Sequence, residues 1–301
     1  MFFHAYLTFI IYNIGTTWWV YYASAEGAYM AFLANSLLMA LAFLFYHLLK
    51  RKLGTKWNGP ILICVWLSFE FLHFHWELSW PWLTLGNVFA PRVSWVQWYS
   101  ITGVLGGSLW ILIMNLLIYK LVIQPKNILK SRYFILAVII LLLPLSFSLI
   151  LYASKSTAGT PYNVAIIQPN LDPYGEKFVL GNEEQLKSLL EQADQAVTKE
   201  TQLVIAPETS LYPTSQIYER SLRKEIFFHV INEHRARWRN AGLLIGASTY
   251  QVFEYKNSSA SKFIPQINAY VEDYNSSLLF DNTANPKIIH KSKLVLGVEK
   301  I

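Results

Sequence analysis

The sequence contains little charge for its length and only one cysteine. Charged residues make up 15% of the 301 residues, whereas apolar residues make up 53%. A typical soluble domain carries about 25% charged residues, so this composition excludes a chain that is soluble throughout. The single cysteine, Cys64, excludes an internal disulfide framework. The net charge of +6 is spread over short loops without a basic stripe, which argues against a nucleic-acid-binding protein.

The apolar residues are unevenly distributed along the chain. Nearly all long apolar runs lie before residue 153, and most Asp and Glu residues lie after it. The sequence therefore predicts a transmembrane helical bundle at 1–152, a short polar linker at 153–161 and a globular domain at 162–301.

Five apolar segments have close to the roughly 20 residues that cross the hydrocarbon core of a bilayer. The first segment lacks the basic leading region and the cleavage site of a signal peptide, so it is interpreted as a helix. Pro144 in the fifth segment is tolerable inside a packed membrane helix. The predicted spans are Phe2–Tyr22, Ala28–Leu49, Pro60–Trp76, Val104–Ile123 and Tyr133–Tyr152.

Basic residues between the spans predict the orientation of the chain. Loops rich in Lys and Arg remain in the cytoplasm. Two such loops are present, one with Lys50, Arg51, Lys52 and Lys56 and the other with Lys126, Lys130 and Arg132. Five spans then place residue 1 inside and the domain 162–301 outside the cytoplasmic membrane.

Two features of the apolar half invite a functional interpretation. Glu70 lies within a predicted span, where a carboxylate normally faces the bundle interior or water, and His73 is a possible partner one turn away. Trp80 and Trp82 lie between spans three and four, on the predicted outer side. They fit either an interfacial aromatic belt or a lipid-handling loop. His73 and His75 point to different sides of a helix, so no metal site is predicted.

The polar half alternates strand and helix patterns, which predicts an α/β layered sheet. The periodicity indicates strands at 163–167, 203–206, 243–249, 275–280 and 287–290, the last two forming a hairpin. Helices are predicted at 183–199 and 217–240, and a polar loop at 250–268.

Glu208 follows Pro207 directly after a predicted strand, at the sheet edge where open α/β folds place their chemistry. Lys291 follows a later strand, and Glu299 lies eight residues beyond it. Two carboxylates and an ammonium suit general base catalysis with stabilisation of an oxyanion. A structural ion-pair network, or for Glu208 alone a solvated loop carboxylate, is the alternative interpretation.

Several motifs carry a resemblance to a known family. Ala206-Pro207-Glu208 and His290-Lys291 resemble the Glu and Lys motifs of the nitrilase (carbon-nitrogen hydrolase) superfamily, whose site combines Glu, Lys and Cys. Together with the membrane spans, the chain resembles the bacterial apolipoprotein N-acyltransferase family over nearly all its length. Ile167-Gln168-Pro169-Asn170 resembles that family's V-Q-x-N, and Tyr274-Asn275-Ser276 resembles its Y-N-S/T. Trp80-Pro81-Trp82-Leu83 resembles its P-W-L segment. Residues 291–299 resemble its K-x-x-L-V-P-F-G-E but depart from that pattern at Leu296-Gly297-Val298.

The resemblance implies a nitrilase-like sandwich domain and a ping-pong acyl transfer in the bacterial cytoplasmic membrane, without a cofactor. The acyl donor is then a phospholipid, and the acceptor is the diacylglyceryl-cysteine of an apolipoprotein. Glu208 is implied as general base, Lys291 as oxyanion stabiliser, Glu299 as an orienting carboxylate and Asn275 as a loop support. Trp80 and Trp82 are implied as substrate-binding or supporting residues.

The family's nucleophilic cysteine is the one missing element. No cysteine follows Cys64 in this sequence, and the family's thiol lies downstream of the segment matching 291–299. The resemblance therefore implies an internal portion of the enzyme, inactive alone. A membrane-tethered amidase of the nitrilase type, or a non-catalytic binding module with that fold, remains an alternative.

Overall fold

A computed structural model describes residues 1–22, 24–76, 79–123, 127–155, 159–172, 179–239, 241–283 and 285–294. The chain divides into two compact units, Met1–Thr157 and Ala158–Ile301. Within the described residues, the first unit is helical and the second contains a seven-stranded sheet. The boundary between the units falls within the stretch 153–161, which the sequence predicts as a linker.

The first unit consists of apolar helices. A π-helical segment, Met30–Asn35, joins α2 to α3, so that Ala25–Leu53 is one continuous helix. Its N-terminus is capped by Ser24, whose hydroxyl accepts a hydrogen bond from Gly27 N at 3.1 Å. Described helices are α1 (Phe2–Thr17), α2 (Ala25–Tyr29), α3 (Ser36–Leu53), α4 (Asn58–His75), α5 (Tyr99–Ile123) and α6 (Arg132–Ser154).

Three helices in the described part of the chain are long and apolar enough to cross a membrane, namely Ala25–Leu53, Tyr99–Ile123 and Arg132–Ser154. They contain the predicted spans 28–49, 104–123 and 133–152. The other two predicted spans correspond to α1, of 16 residues, and α4, of 18 residues. Since α1 is short and α4 contains Glu70 and two histidines, the five-span count stays a prediction.

Polar side chains inside the first unit bond to one another across helices. Asn35 Nδ2 donates to Asn13 Oδ1 at 2.8 Å, and His73 Nε2 lies 3.1 Å from Asn35 Oδ1. Trp66 Nε1 and Leu85 N donate to Glu70 Oε1 at 3.0 and 2.9 Å. Trp66 of the same helix and the Leu85 backbone thus both hold Glu70 Oε1, and the predicted pairing of Glu70 with His73 stays a prediction. Buried polar groups in a helical bundle need such partners because water does not reach them.

The second unit is a mixed sheet with the order β1-β2-β4-β6-β5, in which β3 also pairs with β4 and β7 with β6. The pairs β1–β2, β2–β4 and β3–β4 are parallel, whereas β4–β6, β5–β6 and β6–β7 are antiparallel. Its elements are β1 (Val164–Ile166), α7 (Asn182–Ala196), β2 (Leu203–Ile205), β3 (Ile217–Tyr218), α8 (Ile226–Arg237), β4 (Gly242–Phe253), β5 (Lys262–Ile264), β6 (Ala269–Phe280) and β7 (Lys287–His290).

One face of this sheet holds the core. Leu189 and Leu190 of α7 and Phe227 and Ile231 of α8 belong to the same buried cluster as Val204, Leu243, Ile245 and Leu278 of the strands. On the other face, Ile166 and Ile289 are 75% and 65% exposed. The described residues therefore confirm helices followed by a mixed α/β sheet unit, and the predicted nitrilase-like sandwich is not confirmed.

Two predicted segments of the second unit are wrong. The predicted helix 217–240 begins as β3, continues as a 3₁₀ helix at Glu219–Lys224 and becomes α8 only at Ile226. The predicted loop 250–268 contains the end of β4 and all of β5. These predictions failed because strand pairing between distant residues overrides local sequence patterns. The strands β4 and β6 pair continuously, from Leu243 opposite Phe280 to Phe253 opposite Tyr270, although this stretch includes polar side chains.

Candidate active site

Glu208 lies just past the end of β2, in a turn that is bonded to the neighbouring strand β4. Gly246 N donates to Pro207 O at 3.1 Å, and the N–H groups of Ser210 and Leu211 both donate to Gly246 O at 2.9 Å. These bonds on either side of Glu208 fix the backbone of the turn. The carboxylate is therefore presented from the sheet edge by a defined backbone.

Gly246 is required for this close approach of two backbones. A Cβ at this position would lie 2.6 Å from Glu208 Cα, 2.7 Å from Thr209 N and 2.9 Å from Pro207 O. No residue other than glycine fits against backbone atoms at such distances. Sequence reasoning did not select Gly246, although an isolated glycine inside an apolar strand is a signal for close backbone approach.

The structure brings Glu208, Asn275 and Lys291 together. Lys291 Nζ donates to Glu208 Oε1 at 3.0 Å, and Asn275 Nδ2 donates to the same oxygen. Lys291 follows β7, and its backbone N–H donates to Asn275 O at 2.8 Å. A residue after β2, one within β6 and one after β7 thus converge at one carboxylate oxygen.

The pair of Glu208 and Lys291 is accessible to solvent. Their side chains are 58% and 32% exposed. An ion pair with this exposure contributes only about 0–1 kcal/mol to folding. The arrangement is open to a substrate, and its contribution to stability is small.

Ser210, two residues beyond Glu208, is bonded to the backbone of the turn. Its hydroxyl donates back to Pro207 O, on the preceding backbone. Thr209, between Glu208 and Ser210, has φ of 51° and lies in the left-handed region. The turn therefore directs the Ser210 hydroxyl to the backbone of its own turn.

The strand β6 also carries a buried carboxylate, Glu272. Glu272 is two residues from Tyr274, whose hydroxyl donates to Glu272 Oε2 at 2.6 Å. Burial acts to raise the pKa of Glu272, but several hydrogen bonds together outweigh it and lower the pKa to about 2. The donors are Ser261, Tyr274, Ser258 and Asn257.

The remaining predicted residues belong to other segments of the chain. Glu299 is outside the described residues. Trp80 and Trp82 belong to the first unit, where Trp82 is 59% exposed and its ring centroid lies 5.1 Å from that of Trp19. Cys64 lies in α4 of the first unit as an exposed free thiol. Within the described ranges, no group of three or more His, Cys, Asp or Glu residues is placed to hold a metal ion.

The helical unit and the mixed sheet with its carboxylate, lysine and amide define a membrane-associated protein with an α/β unit that presents a polar site. Residues 1–117 match the family model described as apolipoprotein N-acyltransferase N-terminal domain. The chain is also 26% identical, over 307 aligned residues, to the apolipoprotein N-acyltransferase of Chlorobaculum tepidum, and this alignment covers 99% of the chain and 56% of the relative. The chain thus spans about half the length of the curated relative that it matches.

Both matches show that this chain is similar to the apolipoprotein N-acyltransferases. The family model covers the helical unit through most of α5, and the alignment with the relative extends through the sheet unit that contains Glu208 and Lys291. This similarity and the three long apolar helices are consistent with a membrane protein.

Proposed function

We propose that the protein transfers an acyl chain from a phospholipid to the α-amino group of a diacylglyceryl-cysteine at the N-terminus of an apolipoprotein. The observation that carries this proposal is the convergence of Lys291 and Asn275 on Glu208 Oε1 in a chain similar to a curated apolipoprotein N-acyltransferase. We further propose that the sheet unit has a nitrilase-like fold.

In the first step, Glu208 takes the proton of a cysteine thiol that lies outside residues 153–301. The thiolate attacks the ester carbonyl carbon of the phospholipid, and Lys291 stabilises the resulting oxyanion. The carbon–oxygen bond to the lysophospholipid breaks, Glu208 returns its proton to the leaving oxygen, and a thioester remains.

In the second step, the amine of the acceptor attacks the thioester carbon. Glu208 takes the proton of the amine, and Lys291 again stabilises the oxyanion. The carbon–sulfur bond then breaks, and Glu208 returns the proton to the leaving thiolate. Asn275 orients Glu208, and Glu299 is assigned an orienting role. Trp80 and Trp82 would contact acyl chains, in keeping with the exposure of the Trp82 ring in the first unit.

Membrane association follows physically from these substrates. Exposing an acyl chain to water costs about 0.8 kcal/mol for each CH₂ group, so both lipids remain in the bilayer during the reaction. We propose that the sheet unit lies on the extracytoplasmic side of the bacterial cytoplasmic membrane. A reporter that is active only in the cytoplasm, fused after Thr160, should be silent; strong reporter activity would reverse the orientation.

The catalytic roles are tested in the natural full-length protein with a phospholipid labelled in its acyl chain. Glu208→Gln and Lys291→Ala should abolish the hydroxylamine-sensitive label on the protein and the labelled lipoprotein. Glu191→Gln and Lys187→Ala are matched controls, because these residues form an exposed ion pair of 4.0 Å on α7. Near-normal transfer by either site variant would refute the roles, and amide hydrolysis without lipid turnover would favour the amidase alternative.

A further inference from the structure

A second polar cluster adjoins the candidate active site through the peptide bond between His290 and Lys291. We name it the Glu219 cluster; its members are Glu219, Thr249, Gln251, Ser276 and His290. Glu219 begins the 3₁₀ helix that follows β3, in the segment predicted as part of a helix. The cluster thus joins an element that sequence reasoning misassigned to the strand that precedes Lys291.

Glu219 is the acceptor at the centre of this cluster. Its side chain is only 6% exposed. Oε1 accepts from Thr249 Oγ1 at 2.7 Å and lies 2.7 Å from His290 Nε2, and Oε2 accepts from Gln251 Nε2. Because a carboxylate only accepts, His290 Nε2 carries the proton in this contact. A buried carboxylate with three donors holds each of them firmly.

His290 is held by a second contact from β6. The Tyr274 ring stacks on the imidazole with a centroid distance of 3.9 Å and an interplanar angle of 4°. The Tyr274 hydroxyl donates to the buried Glu272. The plane of the imidazole is therefore set by Tyr274, and the direction of its Nε2–H by Glu219.

The Glu219 cluster and the candidate active site lie on opposite faces of the sheet and are connected through the neighbouring residues His290 and Lys291. His290 pairs with Ser276, which in turn pairs with the buried Ala247 on the face covered by helices. Successive residues of a strand point to opposite faces, so Lys291 is directed to the other face. On that face its Nζ donates to Glu208, while its backbone N–H donates to Asn275 O of the neighbouring strand.

We propose that Glu219 and His290 are positioning residues that hold the end of β7 so that Lys291 Nζ remains at hydrogen-bond distance from Glu208. Neither residue touches a reacting atom. The inference rests on the proposed role of Lys291 in acyl transfer, and it adds two residues on the opposite face of the sheet to the machinery. A shift of about 1 Å in a catalytic group can cost a hundredfold in rate.

The first measurement is the reactivity of the Lys291 amine toward acetic anhydride in the natural full-length protein, read by peptide mass spectrometry. His290→Phe keeps the stacked ring and removes the donor to Glu219. We expect its Lys291 to be acetylated at least about threefold faster, since weakening the contact with Glu208 frees the amine. His290→Gln, whose amide N–H replaces the lost donor, should restore labelling to near the wild-type rate.

The second measurement is acyl transfer by the same variants. His290→Phe should lower kcat about tenfold with KM little changed, because the position of Lys291 affects the oxyanion and not the binding of lipid. His234→Phe is the matched control, since His234 forms the same kind of pair with Asp194, at 3.0 Å between α7 and α8. Its effect on both readouts should be within twofold of the wild type.

The outcomes separate this inference from the proposed function. Unchanged acetylation of Lys291 in both His290→Phe and Glu219→Gln would overturn the positioning role, as would an equal effect of His234→Phe. Absence of acyl transfer in the wild type would overturn the proposed function, while the acetylation rates would still decide whether the Glu219 cluster positions Lys291.

Discussion

The two units use polar side chains in opposite ways. In the helical unit, Asn13, Asn35 and His73 are buried and bond to one another across helices. In the sheet unit, Glu208 and Lys291 of the candidate site follow the ends of β2 and β7, and Glu208 is largely exposed. The buried groups therefore contribute to the stability of their unit, whereas the exposed groups leave acceptors and donors accessible to a substrate.

The largest loss of stability is expected from a substitution at Gly246, where β4 packs against the turn that carries Glu208. Gly246→Ala should destabilise the sheet unit by about 3 kcal/mol, since the added Cβ meets backbone atoms of 207–209 that cannot move aside. Pulse proteolysis of the full-length protein measures this loss. Gly181→Ala is the control, because a Cβ there meets nothing within 4 Å; equal losses in both variants would show that Gly246 is not under steric constraint.

A smaller loss of stability is expected when a buried amide of the helical unit is removed. Asn35→Ala should lower the unfolding free energy in detergent by about 1–2 kcal/mol, because Asn13 and His73 both lose a bonding partner. Asn115→Ala serves as the comparison, since that exposed amide bonds only within its own helix among the described residues, to Ile111 O. If both variants have the same stability as the wild type, the buried amide network contributes nothing measurable.

Acid should affect the sheet unit through Glu272. Its folded pKa of about 2 is below the ordinary value of 4.5, so its contribution is fully present above pH 4.5 and is lost as the pH falls toward 2. Glu272→Gln should flatten the stability curve in this window, as followed by pulse proteolysis across pH. Glu254→Gln, at an exposed position, is the control. If the wild type and both variants lose stability equally in acid, Glu272 is not the origin of the acid sensitivity.

The smallest effect on stability is expected at the candidate site itself. Glu208→Gln should change the unfolding free energy by less than about 1 kcal/mol, because the ion pair with Lys291 is largely exposed. The same variant should abolish acyl transfer. Thermal unfolding of the purified variant tests this separation, and a clear loss of stability would indicate that Glu208 has a structural role.

Local sequence signals predicted the elements that depend on local patterns. The strand 287–290 was predicted with the observed bounds of β7, and the apolar face of α7 follows from Leu186, Leu189, Leu190 and Ala193, all of which are buried. Pro207 correctly marked the end of a strand. These features depend on residues close together in the sequence, so side-chain periodicity and the geometry of proline are enough to predict them.

The features that sequence reasoning missed depend on distant partners. Glu219 lies in a segment with helical periodicity, yet Ile217 and Tyr218 pair with Thr249 and Tyr250 of β4. The role of Gly246 depends on the approach of a turn 38 positions earlier in the chain. The proximity of Glu208 and Lys291 was expected from their positions after strands, whereas Asn275, which the resemblance implied as a loop support, bonds to Glu208 from within β6. The catalytic roles of these residues stay predictions.

The long antiparallel pair of β4 and β6 has a consequence for the order of folding. These strands are separated by only 254–268, so they can pair early and at low entropic cost. Contacts of β2 with β4 close a much longer loop, and the bond from Glu208 to Lys291 spans 83 residues. We therefore expect the contact between Glu208 and Lys291 to form late in folding, after β4 and β6 have paired. Ribosomal synthesis delivers β1 and β2 first, so β2 has only β1 as a sheet partner until β4 emerges.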